Sequence, residues 1–121
     1  MTAETLDTLR RDMTAAAASL ADATRRASNA YDAMLAAALP IADAIAIGGA
    51  PSDSAVTNFR IRRESLAASY DAADLARLRF HAAAEKFHAA ESQNHAAVLA
   101  DERELQTSSR APENARRNCG A

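Results

Sequence analysis

Counting along the chain from Leu6 in alternating steps of three and four reaches Leu9, Met13, Ala16, Leu20, Ala23, Ala27, Ala30, Met34, Ala37, Ile41 and Ala44, and every stop is apolar. Steps of three and four mark one face of a helix, and a run this long predicts a seam packed against a second helix. The seam has two unlike columns. Leu6, Met13, Leu20, Met34 and Ile41 are mostly large, whereas Ala16, Ala23, Ala30, Ala37 and Ala44 are uniformly small. A second segment repeats the design, with Phe59, Leu66, Ala73, Phe80 and Phe87 in one column and Ser69, Ala76, Ala83, Ala90 and Ala97 in the other. Nowhere does the chain sustain the period-two alternation of a half-buried strand, so the expected class is all-α.

Helix-breaking residues are few: Pro40, the stretch "GGAPSDS" from Gly48 to Ser54, and "SSRAPEN" from Ser108 to Asn114. This spacing predicts one helical-hairpin domain over 1–107, with arm one at about 3–47, a turn at 48–52 and arm two at about 53–107, followed by a polar tail at 108–121. Gly48 suits the end of the first helix, and Ser52 or Asp53 suits the cap of the second. In an antiparallel pair each layer joins one column to the other, so large side chains face small ones. The matching register sets Leu20 against Ala83, Met13 against Ala90, Phe80 against Ala23, Phe87 against Ala16 and Phe59 against Ala44, and centres the turn on Pro51 and Ser52. The expected architecture is therefore a long antiparallel helical hairpin, coiled-coil-like with an Ala-rich seam. Pro40 lacks a backbone donor and crowds the preceding turn, which predicts a kink or break there; the alternative is a short separate helix from Ile41 to Ile47.

The seam leaves apolar residues over. From Ala33 to Ala50 only Pro40 and Asp43 are neither apolar nor Gly, yet the seam uses only Met34, Ala37, Ile41 and Ala44 of that stretch. Leu35, Leu39, Ile45 and Ile47 point elsewhere. On the second arm Ile61, Ala68, Leu75, Ala82, Ala89 and Ala96 form a further heptad column beside the seam, flanked by Leu78 and Leu99. Pro40 and Asp43 argue against membrane insertion of the first stretch. Large contiguous apolar patches on soluble proteins mark interfaces, so Leu35, Leu39, Ile45, Ile47, Ile61, Leu75 and Leu78 are the expected contact residues for a protein partner, in a homo-oligomer or larger assembly. The competing arrangement folds the chain back at Pro40 and buries the first four internally.

Composition sharpens this picture. Ala supplies 34 residues and aromatics only 4%, with no Trp, so bulky core material is scarce and a fold must gain stability from length and close approach. Lys86 is the only Lys beside many Arg, which with the Ala load suggests a GC-rich bacterial or phage genome. The net charge of −2 argues against nucleic acid as the main ligand. Arg60, Arg62 and Arg63 stand near the start of the second helix, where the helix dipole disfavours cations, and they point to an acidic partner contact.

Candidate chemistry is thin. His81, His88 and His95 recur every seventh residue with Glu85 and Glu91 between them, but successive histidines lie about 10.5 Å apart on a helix, too far to share one ion. Glu85 with His88 and Glu91 with His95 have the spacing of half a carboxylate di-iron site, which makes a metal-binding helical bundle a distant third reading of function, since the first arm offers only Glu4 as a complement. No Gly-rich phosphate loop, Ser–His–Asp set or Cys–His pair is present, so no catalytic activity, cofactor, metal or small-molecule substrate is expected. Cys119 stands alone and is available only for an intermolecular disulfide. Arg10 and Arg11 precede a weakly apolar stretch, but Asp12 follows them directly, so no cleavable signal is expected and the protein is placed in the cytoplasm, a virion or a large assembly.

Tyr70-Asp71-Ala72-Ala73-Asp74 matches the Tyr-x-x-x-Asp/Glu signal of the small secreted substrates of the type VII system, which the chain also resembles in length and Ala content. That resemblance implies a secreted helical-hairpin effector or substrate as the alternative function. The chain departs from the pattern in lacking Trp-x-Gly at the turn and in placing the Tyr motif mid-helix.

Overall fold

In the computed structural model, which describes backbone residues 3–119 and side chains 5–107, the chain is all-helical: α1 spans Ala3–Ala46 and α2 spans Asp53–Cys119, and the two helices pack against each other as a hairpin. At 1.5 Å per residue, α1 is about 66 Å long and α2 about 100 Å.

The turn is built by its own sequence. Gly48 adopts φ +79°, its N–H donates to the Ile45 carbonyl at 3.0 Å, and the Gly49 N–H donates to the Ala44 carbonyl at 2.9 Å. This pair of bonds is the Schellman closure, with Gly48 at the left-handed position that only glycine takes without strain. Across the turn, the Ser52 hydroxyl accepts from the Ala55 N–H at 3.1 Å, so Ser52 caps α2, and Asp53 follows in its first turn, where negative charge meets the helix dipole favourably.

Burial in α1 falls on every position of the counted seam from Leu6 to Ala44, each of them buried or half-buried. In α2 the same holds for Phe59, Leu66, Ser69, Ala73, Ala76, Phe80, Ala83, Phe87 and Ala90, while Ala97 is exposed. Beyond Asn94 every described residue of α2 is exposed, because this part of the helix extends past the N-terminal turns of α1. The most buried residues are Ala27, Ala37, Ala73, Ala76 and Ala90 with Leu66 and Phe87, so alanine does most of the filling. Ser69 sits half-buried in the seam without cost because its hydroxyl donates to the Ser65 carbonyl at 2.9 Å.

Two expectations are corrected. Pro40 does not break α1, and no separate helix begins at Ile41. Pro40 and Ala36 both face solvent, so water can satisfy the Ala36 carbonyl that loses its intrahelical donor, while Ala37, Ile41 and Ala44 hold the helix to α2 on either side. Nor does α2 end near 107, for it continues to Cys119. Nothing between Asp53 and Thr107 interrupts it, since the segment contains neither Gly nor Pro and the Thr107 hydroxyl folds onto the Arg103 carbonyl at 2.9 Å. Of the expected tail, 120 and 121 lie outside the described residues, as do the side chains from 108 onward, that of Cys119 included.

Charge contributes little to joining the arms. Arg10 with Asp7, Arg25 and Arg26 with Asp22, and Arg77 with Asp74 are ion pairs within single helices, exposed and worth roughly 0.3–0.5 kcal/mol each. A cross-arm contact of another kind is the Arg10 guanidinium over the Phe87 ring, 5.6 Å from its centroid.

Candidate interaction surface

A two-helix hairpin leaves a groove on each side of its seam, and two lining sets identify them. On one side, Ser19, Asp22 and Arg26 of α1 face Ser65, Ala68 and Ala72 of α2 across a cleft of about 380 Å³. On the other, Thr24, Ser28 and Tyr31 face Tyr70 and Arg77 across a cleft of about 360 Å³. Both are open, shallow and built from short side chains. Neither brings together a nucleophile, a base and an orienting group.

The helical repeat assigns the remaining exposed apolar residues to these sides. Thr24, Ser28 and Tyr31 are continued in steps of four and three by Leu35, Ala38, Ala42 and Ile45, so Leu35 and Ile45 lie on the Tyr31 side. Ile61, Ala68 and Leu75 share the Ser65 side with the rest of the Ala column, and all six residues of that column are exposed. Leu39 and Leu78 lie on the outer backs of their helices, and Ile47 stands in the turn. Every one of the seven expected contact residues is exposed; near the turn Leu39 is 61%, Ile45 62% and Ile47 85% exposed, and on the back of α2 Leu78 is 67% exposed. They do not form one patch. The structure puts Leu35 and Ile45 on one side of the seam and Ile61 and Leu75 on the other, with Leu39 and Leu78 on the outer backs and Ile47 in the turn.

Sequence reasoning passed over Tyr31, Val56, Val98 and Leu105, which are large and exposed. The signal for Tyr31 was present, since it stands four residues before Leu35 on the same face. Tyr70 and Asp74 of the Tyr-x-x-x-Asp match lie within α2, with Tyr70 lining the Tyr31 groove and Asp74 paired to Arg77 at 3.0 Å.

Arg60, Arg62 and Arg63 are exposed and make no ion pair among the described residues; the Arg63 guanidinium rests 5.9 Å from the Phe59 ring centroid. The histidine stripe is solvent-facing. His81 tilts against Phe80 and His88 against Phe87 at centroid separations of 6.0 and 5.6 Å, while His95 lines a shallow cleft with Glu91 and Ser92. Among the described residues no group of three or more His, Cys, Asp or Glu side chains is placed to hold a metal ion, and no helix is long and apolar enough to cross a membrane.

Compared with protein-family models, with curated proteins and with solved structures, the chain matches none.

Proposed function

We propose that this chain is a non-enzymatic helical assembly protein, an adaptor or structural subunit of a larger bacterial or phage complex, acting through protein–protein contacts. The observation that carries this reading is the exposure of Leu39, Ile45 and Ile47 around the turn of a hairpin whose own seam cannot reach them. Solvated aliphatic residues clustered at one end of a molecule are the usual mark of a surface completed by another chain.

The test is the double variant Leu39→Ser, Ile45→Ser, expressed in the native host and sized in the lysate beside the wild type. The wild-type chain is expected in a complex much larger than its own mass, and the double variant outside it, with helical content retained on circular dichroism. A wild-type chain that migrates alone in the lysate refutes the proposal.

A further inference from the structure

The apolar strip near the turn is ordered so that it complements itself. Leu35, Ala38, Ala42 and Ile45 follow one another in steps of three, four and three on one face of α1, with large residues at the ends and alanines between. We propose that this face joins two copies of the chain, packed antiparallel with their turn ends overlapping about a two-fold axis that passes beside Pro40. The inference rests on the assembly reading above and names the partner as a second copy.

Under that axis Leu35 of one copy meets Ile45 of the other and Ala38 meets Ala42. Two-fold symmetry requires such a self-complementary patch. The central alanines let the α1 axes approach closely, and the large residues close both ends of the contact.

The same axis is then applied to α2, which was not used to choose it. Ala46 and Asp53 flank the turn, so the arms are level about one helical turn away from the register expected from the sequence, and the level of Pro40 on α1, not Ala44, corresponds to that of Phe59 on α2. An axis there, within one residue, sets Asp53 of each copy opposite Arg63 of the other, and Val56 against the aliphatic stem of Arg60. Asp53 and Arg63 are exposed, and neither has an ion pair among the described residues. The antiparallel contact gives both a partner, twice over.

Two rival packings of the same face fail on charge. Parallel hairpins would set Arg63 on Leu35, Arg60 on Ala38 and Asp53 on Ile45, placing charge on apolar surface throughout. Sliding the antiparallel pair to its next register toward the arms would set Arg60 against Arg63. The overlap spans the last three to four turns of α1 and the first three of α2, about 20 Å by 20 Å or roughly 400 Å² on each copy, the size of a weak, transient contact.

Sedimentation equilibrium of the purified chain tests this, using Asp53→Arg, Arg63→Asp and the two combined. The wild type is expected to dimerise, each single reversal to weaken the dimer by about tenfold or more, and the combined reversal to restore it. Comparing Asp53→Arg with the combined variant keeps the altered helix N-terminus constant, so rescue reports the pairing alone. A purified wild type that stays monomeric to about 100 μM overturns the second-copy contact, as does a dimer that the combined reversal does not rescue. In either case a large complex in the host lysate leaves the assembly reading standing, so the two ideas fail separately.

Discussion

Gly48 offers a test of the turn whose size can be worked out in advance. Its φ of +79° is the left-handed conformation, and a Cβ built at this position meets no atom within 4 Å. The cost of Gly48→Ala is therefore backbone strain alone, roughly 1–2 kcal/mol, reduced by the ~0.4–1 kcal/mol that alanine returns by restricting the unfolded chain. A net loss of about 1 kcal/mol is expected. Gly49 is the control. It has no positive φ, and a Cβ there would sit 3.4 Å from the Ala44 carbonyl oxygen, at the edge of ordinary contact. With little strain to oppose the entropy gain, Gly49→Ala is expected to be neutral or stabilising by up to ~1 kcal/mol. Urea unfolding followed by circular dichroism resolves a difference of this size, provided the curves are taken at several protein concentrations, because the turn end also carries the proposed contact face. Equal or reversed midpoints for the two variants would refute the assignment of Gly48 as the residue that closes α1.

Ala23→Leu is expected to lower the melting temperature, because it adds volume at a half-buried seam position, at a cost of ~1–3 kcal/mol; Thr24→Leu, on the exposed groove edge, is expected to change it little, and the opposite ranking would show the seam assignment to be wrong. Replacing His81, His88 and His95 together by Gln is expected to leave the metal content of the purified protein unchanged at nil by elemental analysis, and stoichiometric zinc or iron lost in the triple variant would contradict that.

Much of the fold was legible because one physical rule governs it. A helix packed against one partner buries positions at steps of three and four, and the count from Leu6 to Ala44 found each buried or half-buried position it named. The count failed at Ala97 because it follows the helix it is read from and takes no account of where the opposing helix stops. The break expected at Pro40 failed for a related reason. Whether proline ends a helix depends on whether solvent can reach the carbonyl it orphans and whether packing holds both sides, and both are tertiary facts. The candidate surface was legible as a set of residues but not as a shape. Leu35 and Ile45 emerged beside Ile61 and Leu75 as a single apolar surplus, yet the seam runs between them.

That division bears on what each face does. The α2 face is a long column of alanines interrupted by Ile61 and Leu75, and burying alanine removes little apolar area, so contact along it depends on close helix approach over many turns. The α1 face near the turn is short and carries large aliphatic residues, each worth roughly 1.5–3 kcal/mol when fully buried. Within the hairpin itself, of the seven most buried residues only Leu66 and Phe87 are large. Covering Leu39 and Ile45 in an assembly therefore adds a hydrophobic term of the same order as the two largest in the seam. Anything that binds the folded chain but not the unfolded one stabilises the fold by mass action, so assembly through the turn end would also reinforce the Ala-rich seam that positions it.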